Sequence, residues 1–268
     1  MTGPQCAFLP DGRLHLQHGP IDLVIEAFGE RGEVERAYAQ AGTRFADILP
    51  TLVCELPLLR RPVGEVRPPM HGPVAQRMAK AVWPYRGVFI TPMAAVAGAV
   101  ADEMLEAMLE GRALDKAYVN NGGDIAFHLS AGQELRAGIF VAALDGSIRL
   151  TCDQPARGLA TSGWGGRSFS LGIADSVTVV AATAAEADAA ATIVANAVNA
   201  DHPAIERQRA CELDPDSDLG DLLVTTKVGQ LPAEVIAEAL DRGAAQARRL
   251  RLSAALSLKD EWRLLQAT

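Results

Sequence analysis

Two stretches of this 268-residue chain carry almost no side-chain bulk. Residues 93–101 read Met-Ala-Ala-Val-Ala-Gly-Ala-Val-Ala, and residues 184–197 hold eight alanines in fourteen positions. Alanine is the strongest helix former, but a helix of small residues fills little space by itself. Such helices must lie close against another backbone or a ligand. After the first stretch, bulk returns at Met104, Leu105, Met108 and Leu109, spaced as one packed helical face. The chain is 49% hydrophobic but only 5% aromatic, so alanine and glycine supply much of its apolar content.

The length admits one large domain or two small ones. A single compact domain over residues 1–268 is expected, or two closely packed substructures at 1–90 and 91–268. Residues 6–28 predict strand, turn, strand, with Pro10-Asp11-Gly12 at the turn. Helical periodicity starts near Glu30, and residues 48–59 form a helix-like segment that Pro50 and Pro57 limit. Residues 64–72 predict a loop and 74–83 a short helix. Pro92 fits the first turn of a longer helix that Gly111 stops.

The middle of the chain predicts strands at 116–120, 125–129, 135–143 and 147–152, with hairpin turns at Gly122-Gly123 and Asp145-Gly146. A β-branched strand follows at 176–182, then a helix over 183–199 with Thr183 and Glu186 at capping-box spacing. Residues 212–220 predict an exposed acidic loop, 222–226 a strand, 232–250 a helix and 253–265 one or two closing strands. Strands outside a repeated βα alternation place the chain in the α+β class, or in a layered mixed fold.

The formal net charge of −8 argues against a dedicated nucleic-acid binder, which must neutralise phosphates, but allows a local site for one small phosphorylated ligand. The longest apolar stretch, 88–101, is shorter than the roughly 20 residues a membrane span needs. No signal-peptide pattern opens the sequence. Cys6, Cys54, Cys152 and Cys211 are scattered and form no CxxC pair. A cytoplasmic protein with reduced thiols is expected.

Three segments are candidates for chemistry. In Asn120-Asn121-Gly122-Gly123-Asp124, a glycine pair allows close ligand approach; a β-turn with asparagine hydrogen bonds explains it equally. In residues 158–168, small residues leave amides exposed, Thr161, Ser162 and Ser168 add hydroxyls, and Arg167 adds a fork of donors suited to phosphate. A flexible glycine-rich loop is the alternative. On the alanine-rich helix, Asp188 and Thr192 are four apart and share a face. A carboxylate beside a hydroxyl suits a hard cation such as Mg²⁺; an aspartate favouring the helix dipole is the simpler reading. Asp102 follows the first small-residue run and is either ligand-facing or an ordinary surface carboxylate.

The order of these motifs resembles the ApbE superfamily of flavin transferases and their relatives. The match runs from Ala97-Gly98-Ala99-Val100-Ala101-Asp102, through 119–125 and Ala160-Thr161-Ser162-Gly163, to 177–181 and 187–192. It is most similar to an uncharacterised branch of that superfamily. The resemblance implies a layered α/β/α architecture with a mixed, largely antiparallel sheet. It also implies FAD bound at a cleft, with Mg²⁺ helping to split its pyrophosphate, either for FMN transfer or for hydrolysis to FMN and AMP. Asp188, Thr192 and Ala160 would hold the cation. Asp102, Asn121, Gly122, Gly123, Asp124, Thr161, Ser162 and Gly163 would line the cofactor cleft, and Arg167 would neutralise a phosphate oxygen. The chain differs in having Ala97 where the family usually has lysine, and it lacks the family's His-Ile segment after the Thr-Ser-Gly loop. The alternative functions are a non-catalytic flavin- or nucleotide-binding assembly protein, and an enzyme for another small acidic or phosphorylated metabolite. A homodimer is the expected assembly.

Overall fold

The computed structural model describes residues 3–141 and 144–267. Their contacts divide into two compact units that interleave along the chain. The first comprises residues up to 136, 149–160 and 181–188; the second comprises 137–148, 161–180 and 189 onward. Helices are combined with strands that pair antiparallel, so the protein is of the α+β class.

The first unit is built on strands β1 (Gln5–Phe8), β2 (Leu14–His18), β3 (Ile21–Gly29), β4 (Leu114–Asn121) and β5 (Asp124–Leu129). Each pairs antiparallel with the next. On β3, Ile21, Leu23, Ile25 and Ala27 alternate into the core, the two-residue period of a half-buried strand. Three helices follow: α1 (Arg31–Leu59), α2 (Pro73–Val82) and α3 (Val96–Leu109). Helix α3 packs on α1 and on β4 and β5.

Pro50 and Pro57 do not end α1, which runs unbroken through both. An interior proline costs about 3 kcal/mol through a lost hydrogen bond and a ring clash. Here Ala37, Ala41, Phe45, Ile48, Leu52, Glu55 and Leu59 are all buried on one stripe. Burial of that stripe offsets the local cost, each large side chain contributing about 1.5–3 kcal/mol. Buried Glu55 also accepts hydrogen bonds from the His71 and Gly72 amides at 2.8 and 2.7 Å, where α2 begins.

The hairpin strands β6 (Glu134–Val141) and β7 (Leu144–Thr151) form a separate two-stranded ribbon. Asp145-Gly146, expected as its turn, lies inside β7. Ala142 and Ala143, expected in the preceding strand or its end, lie outside the described residues. Strand β8 (Gly158–Ser162) occupies the first part of the glycine-rich segment and pairs antiparallel with β5. The flexible glycine-rich loop expected over 158–168 therefore does not hold for its first five residues, whose small side chains carry no alternating pattern.

In the second unit, β9 (Ser176–Ala181) pairs antiparallel with β12 (Ser253–Leu258), and β12 with β13 (Glu261–Leu265). The alanine-rich helix α4 (Ala184–Ala197) starts in the first unit and ends in the second. A ribbon of β10 (Ile205–Arg209) and β11 (Leu223–Val228) flanks the short α5 (Ala210–Leu213), and α6 (Ala233–Arg249) packs on β12 and β13. Among the described residues, no helix is long and apolar enough to cross a membrane.

The small-residue stretches come together inside the first unit. A Cβ on Gly98 would sit 2.3 Å from the Ala184 carbonyl oxygen, and one on Gly158 would sit 2.1 Å from the Ala184 nitrogen. Both contacts are with backbone, which cannot step aside. Gly98→Ala or Gly158→Ala is therefore expected to destabilise the protein by about 2–3 kcal/mol through overpacking. Gly64→Ala, with open space around it, is expected to stay within about 0.5 kcal/mol of the parent. Urea unfolding of the three variants checks this; equal midpoints would contradict the close backbone approach.

Candidate functional site

The site grows from three local structures in the first unit. The first is the β4–β5 hairpin, whose loop is Gly122-Gly123, with Asn121 and Asp124 paired across its base. Both glycines have positive φ, 66° and 112°, the backbone that a tight hairpin of this kind demands and that glycine adopts freely. The Asn120 side chain accepts a hydrogen bond from the Gly123 amide at 2.8 Å. The turn role weighed for this motif is thus filled, while the flanking Asn121 and Asp124 are buried.

The second structure is the start of α3. Asn121 donates its side-chain amide to the Ala97 carbonyl at 3.1 Å, which ties the hairpin base to this helix. The Gly98 amide donates to the Asp188 carboxylate at 3.1 Å. Asp102 lies one turn further along.

The third is the start of α4. Asp102 accepts from the Ala184 amide with one carboxylate oxygen and from the Ala185 amide with the other, both at 2.9 Å. The Glu186 amide donates to the Thr183 hydroxyl at 3.2 Å, the N-cap bond expected from the capping-box spacing. Three of the amides that a helix start leaves without intrahelical partners are therefore satisfied, two of them by a carboxylate from another helix. Asp102 thereby acts as a clamp between α3 and α4.

Carboxylates concentrate at this junction. Burial pushes the Asp188 carboxyl well above the usual carboxylate range; the nearby Asp124 pushes it further, and Asp102 adds to the effect. The Gly98 and Ala97 amides oppose the shift without cancelling it. Asp102 is also raised by burial, against the lowering effect of its two amide donors and of Arg77. Tyr85, in a 3₁₀ turn after α2, is pushed up to about 12 by burial, with the charge of Glu186 adding to it. The sequence offered no signal for Tyr85, since one tyrosine beside a proline has no diagnostic spacing.

Asp102, Asn121, Gly122, Gly123, Asp124, Ala160 and Asp188 all lie in the first unit; Thr161, Ser162, Gly163, Arg167 and Thr192 lie in the second. There the Thr161 hydroxyl is 2.8 Å from that of Thr178. A Cβ on Gly163 would sit 2.2 Å from the Asp175 carbonyl oxygen, so this glycine serves a close backbone crossing. The Trp164 indole donates to Asp175 at 2.9 Å. Arg167 is exposed and makes no hydrogen bond or ion pair among the described residues. Thr192 is half-buried on α4. Among the described residues, no three His, Cys, Asp or Glu side chains are grouped to hold a metal ion.

An antiparallel hairpin and two small-residue helices thus set buried Asp124 and half-buried Asp102 and Asp188 in the first unit. The family model described as AbpE bacteria fits residues 6–264, and the chain belongs to that family. The resemblance to the ApbE superfamily drawn from residues 90–200 thus extends over almost the whole chain. The UPF0280 protein of Methanopyrus kandleri is 38% identical over 154 residues, which cover 56% of this chain and 59% of that protein. The UPF0280 protein of Methanothrix thermoacetophila is 36% identical over 156 residues, 57% of this chain and 62% of that protein. The chain spans about three fifths of the length of these curated relatives. Among solved structures, it is similar to the apo flavinyl transferase ApbE of Pseudomonas stutzeri, with a TM-score of 0.49, 11% identity, and coverage of 99% of this chain and 94% of that one. A mutant of the flavin transferase ApbE of Vibrio cholerae gives a TM-score of 0.46 and 13% identity, covering 96% and 97%.

The raised Asp188 carboxyl has a consequence for stability. A carboxyl whose folded-state pKa exceeds its unfolded value stabilises the fold at low pH, and that contribution is lost as pH rises through the folded value. In the absence of divalent ions, the parent is expected to lose melting temperature relative to Asp188→Asn as pH rises from about 4 towards 8. A difference between the two proteins that stays constant over that range would contradict the crowding of carboxylates at Asp188.

Proposed function

We propose that this chain binds FAD in a Mg²⁺-dependent manner at the Asp188 junction, and that it cleaves the FAD pyrophosphate or transfers FMN. The observation that supports the reading most is a desolvated aspartate crowded by two others, whose environment favours a bound proton or cation. The donor chemistry fits a hard cation: Asp188 offers a carboxylate oxygen, and by motif match Ala160 adds a backbone carbonyl and Thr192 a hydroxyl. Mg²⁺ commonly keeps several waters and takes only one or two carboxylates, so a single aspartate is compatible with it. The flavin side of the reading comes from the names of the Pseudomonas and Vibrio proteins and from the ApbE motif order.

When bound, the cation supplies charge neutralisation to the pyrophosphate. The chain's own residues do the rest. The hairpin base at Asn121 and Asp124 and the Gly122-Gly123 loop bring backbone close to the ligand. Thr161, Ser162, Gly163 and Arg167, which lie in the second unit, are assigned to the cofactor by the motif match alone: the first three would line it and Arg167 would meet a phosphate oxygen. Asp102 fixes the first turn of α4 and so the position of Asp188. In hydrolysis, water attacks one phosphorus of FAD, the bridging P–O bond breaks, and FMN and AMP leave. In transfer, a protein hydroxyl takes the place of water and AMP is the leaving group.

Equilibrium titration of FAD with and without Mg²⁺ tests this. The parent is expected to bind at least tenfold more tightly with Mg²⁺, and Asp188→Asn to lose that dependence while remaining folded. Unchanged Mg²⁺ dependence in the variant would overturn the metal assignment. FAD retained without formation of FMN and AMP, and without labelling of a protein acceptor, would favour the non-catalytic reading.

A further inference from the structure

Charge along this chain is unevenly spread. Residues 60–86 hold six Lys and Arg against one Glu, net +5, while the other 241 residues hold 19 against 32, net −13. That basic segment bounds a cleft of about 570 Å³ in the first unit. Its walls include Arg67, Pro68, Pro69, Met70, Arg77 and Lys80.

The cations of this cleft differ in how they are occupied. Arg77 is engaged: its Nε donates to Glu103 at 3.0 Å, and it pairs with Glu106. Arg67 and Lys80 are exposed and make no ion pair among the described residues. The Arg67 guanidinium instead lies 5.8 Å from the centre of the Trp83 ring, and Arg86 lies 4.9 Å from the same ring. Glu55 takes the His71 and Gly72 amides that precede α2, and the exposed Arg67 and Lys80 side chains offer positive charge to the cleft. Between them, two prolines and a methionine give the cleft an apolar wall.

We infer that this cleft is a second ligand site, one that takes a small organic phosphate with its phosphate on Arg67 and Lys80 and its apolar part on Pro68, Pro69 and Met70. Two cations lining one cleft on an otherwise acidic protein form a local electrostatic target, and charge-assisted hydrogen bonds to phosphate are the stronger kind. Apolar contact then separates an organic phosphate from inorganic phosphate. The inference does not depend on FAD or on Mg²⁺.

Calorimetric titration of the full chain in chelator, with phenyl phosphate, inorganic phosphate and phenol as probes, tests it; chelator silences a cation-dependent site at Asp188. Phenyl phosphate is expected to bind about tenfold more tightly than inorganic phosphate, and phenol not to bind measurably. The double variant Arg67→Ala/Lys80→Ala should weaken phenyl phosphate at least tenfold, whereas Arg31→Ala, on an exposed position of α1, should not change it. Binding should weaken as salt rises. Displacement of Arg67 from Trp83 should alter tryptophan fluorescence, and Trp83→Phe should abolish that signal while calorimetric binding remains. An unchanged affinity in the double variant would overturn the site, as would no binding of either phosphate at millimolar concentration. Equal affinity for the two phosphates would overturn the organic ligand.

Discussion

The start of α4 is where the first unit is pinned together. Gly98 and Gly158 let two other backbones approach it within distances that a Cβ would forbid. Asp102 then fixes the contact, taking two amides of α4 into one carboxylate. A Cβ at either glycine would push the backbones apart and with them the Asp102 bonds. A carboxylate reaching from one helix to the start of another recurs where Glu55 meets the amides before α2.

The same close packing sets the electrostatics. Asp188 emerges one turn into α4, where it meets the Gly98 amide and the field of Asp124 from the hairpin base. Asp124 is held there by the paired geometry of the Gly122-Gly123 turn, and Asn121 ties the same hairpin to α3. Asp124 and, more weakly, Asp102 thus raise the Asp188 carboxyl from positions that backbone contacts fix. The Gly98 and Ala97 amides supply part of the compensation.

Much of this could be read from the sequence, and the reasons differ by element. The Gly122-Gly123 hairpin and the capping bond at Thr183 follow from local chemistry and formed as expected; Pro92, expected in the first turn of the long helix, instead opens a 3₁₀ turn over Pro92–Ala95, and α3 begins at Val96. The membership of the ApbE-related family followed from motif order, since no motif was specific by itself. Helix α1 through Pro50 and Pro57 was not legible, because the burial that offsets two prolines is supplied by distant strands and helices. Strand β8 was hidden because glycine, alanine, threonine and serine give no alternation, and its strand state is set by pairing with β5. Asp102 illustrates the limit for single residues: spacing placed it beside a small-residue helix, but its clamp on α4 depends on residues more than 80 positions away.

The proposed cation site at Asp188 rests on the packing at the start of α4. The most direct measurement is anomalous diffraction from crystals of the protein soaked in Mn²⁺ as a stand-in for Mg²⁺. An anomalous peak within bonding distance of the Asp188 carboxylate is expected. A peak only elsewhere, or none at Asp188 with the carboxylate well ordered, would contradict it.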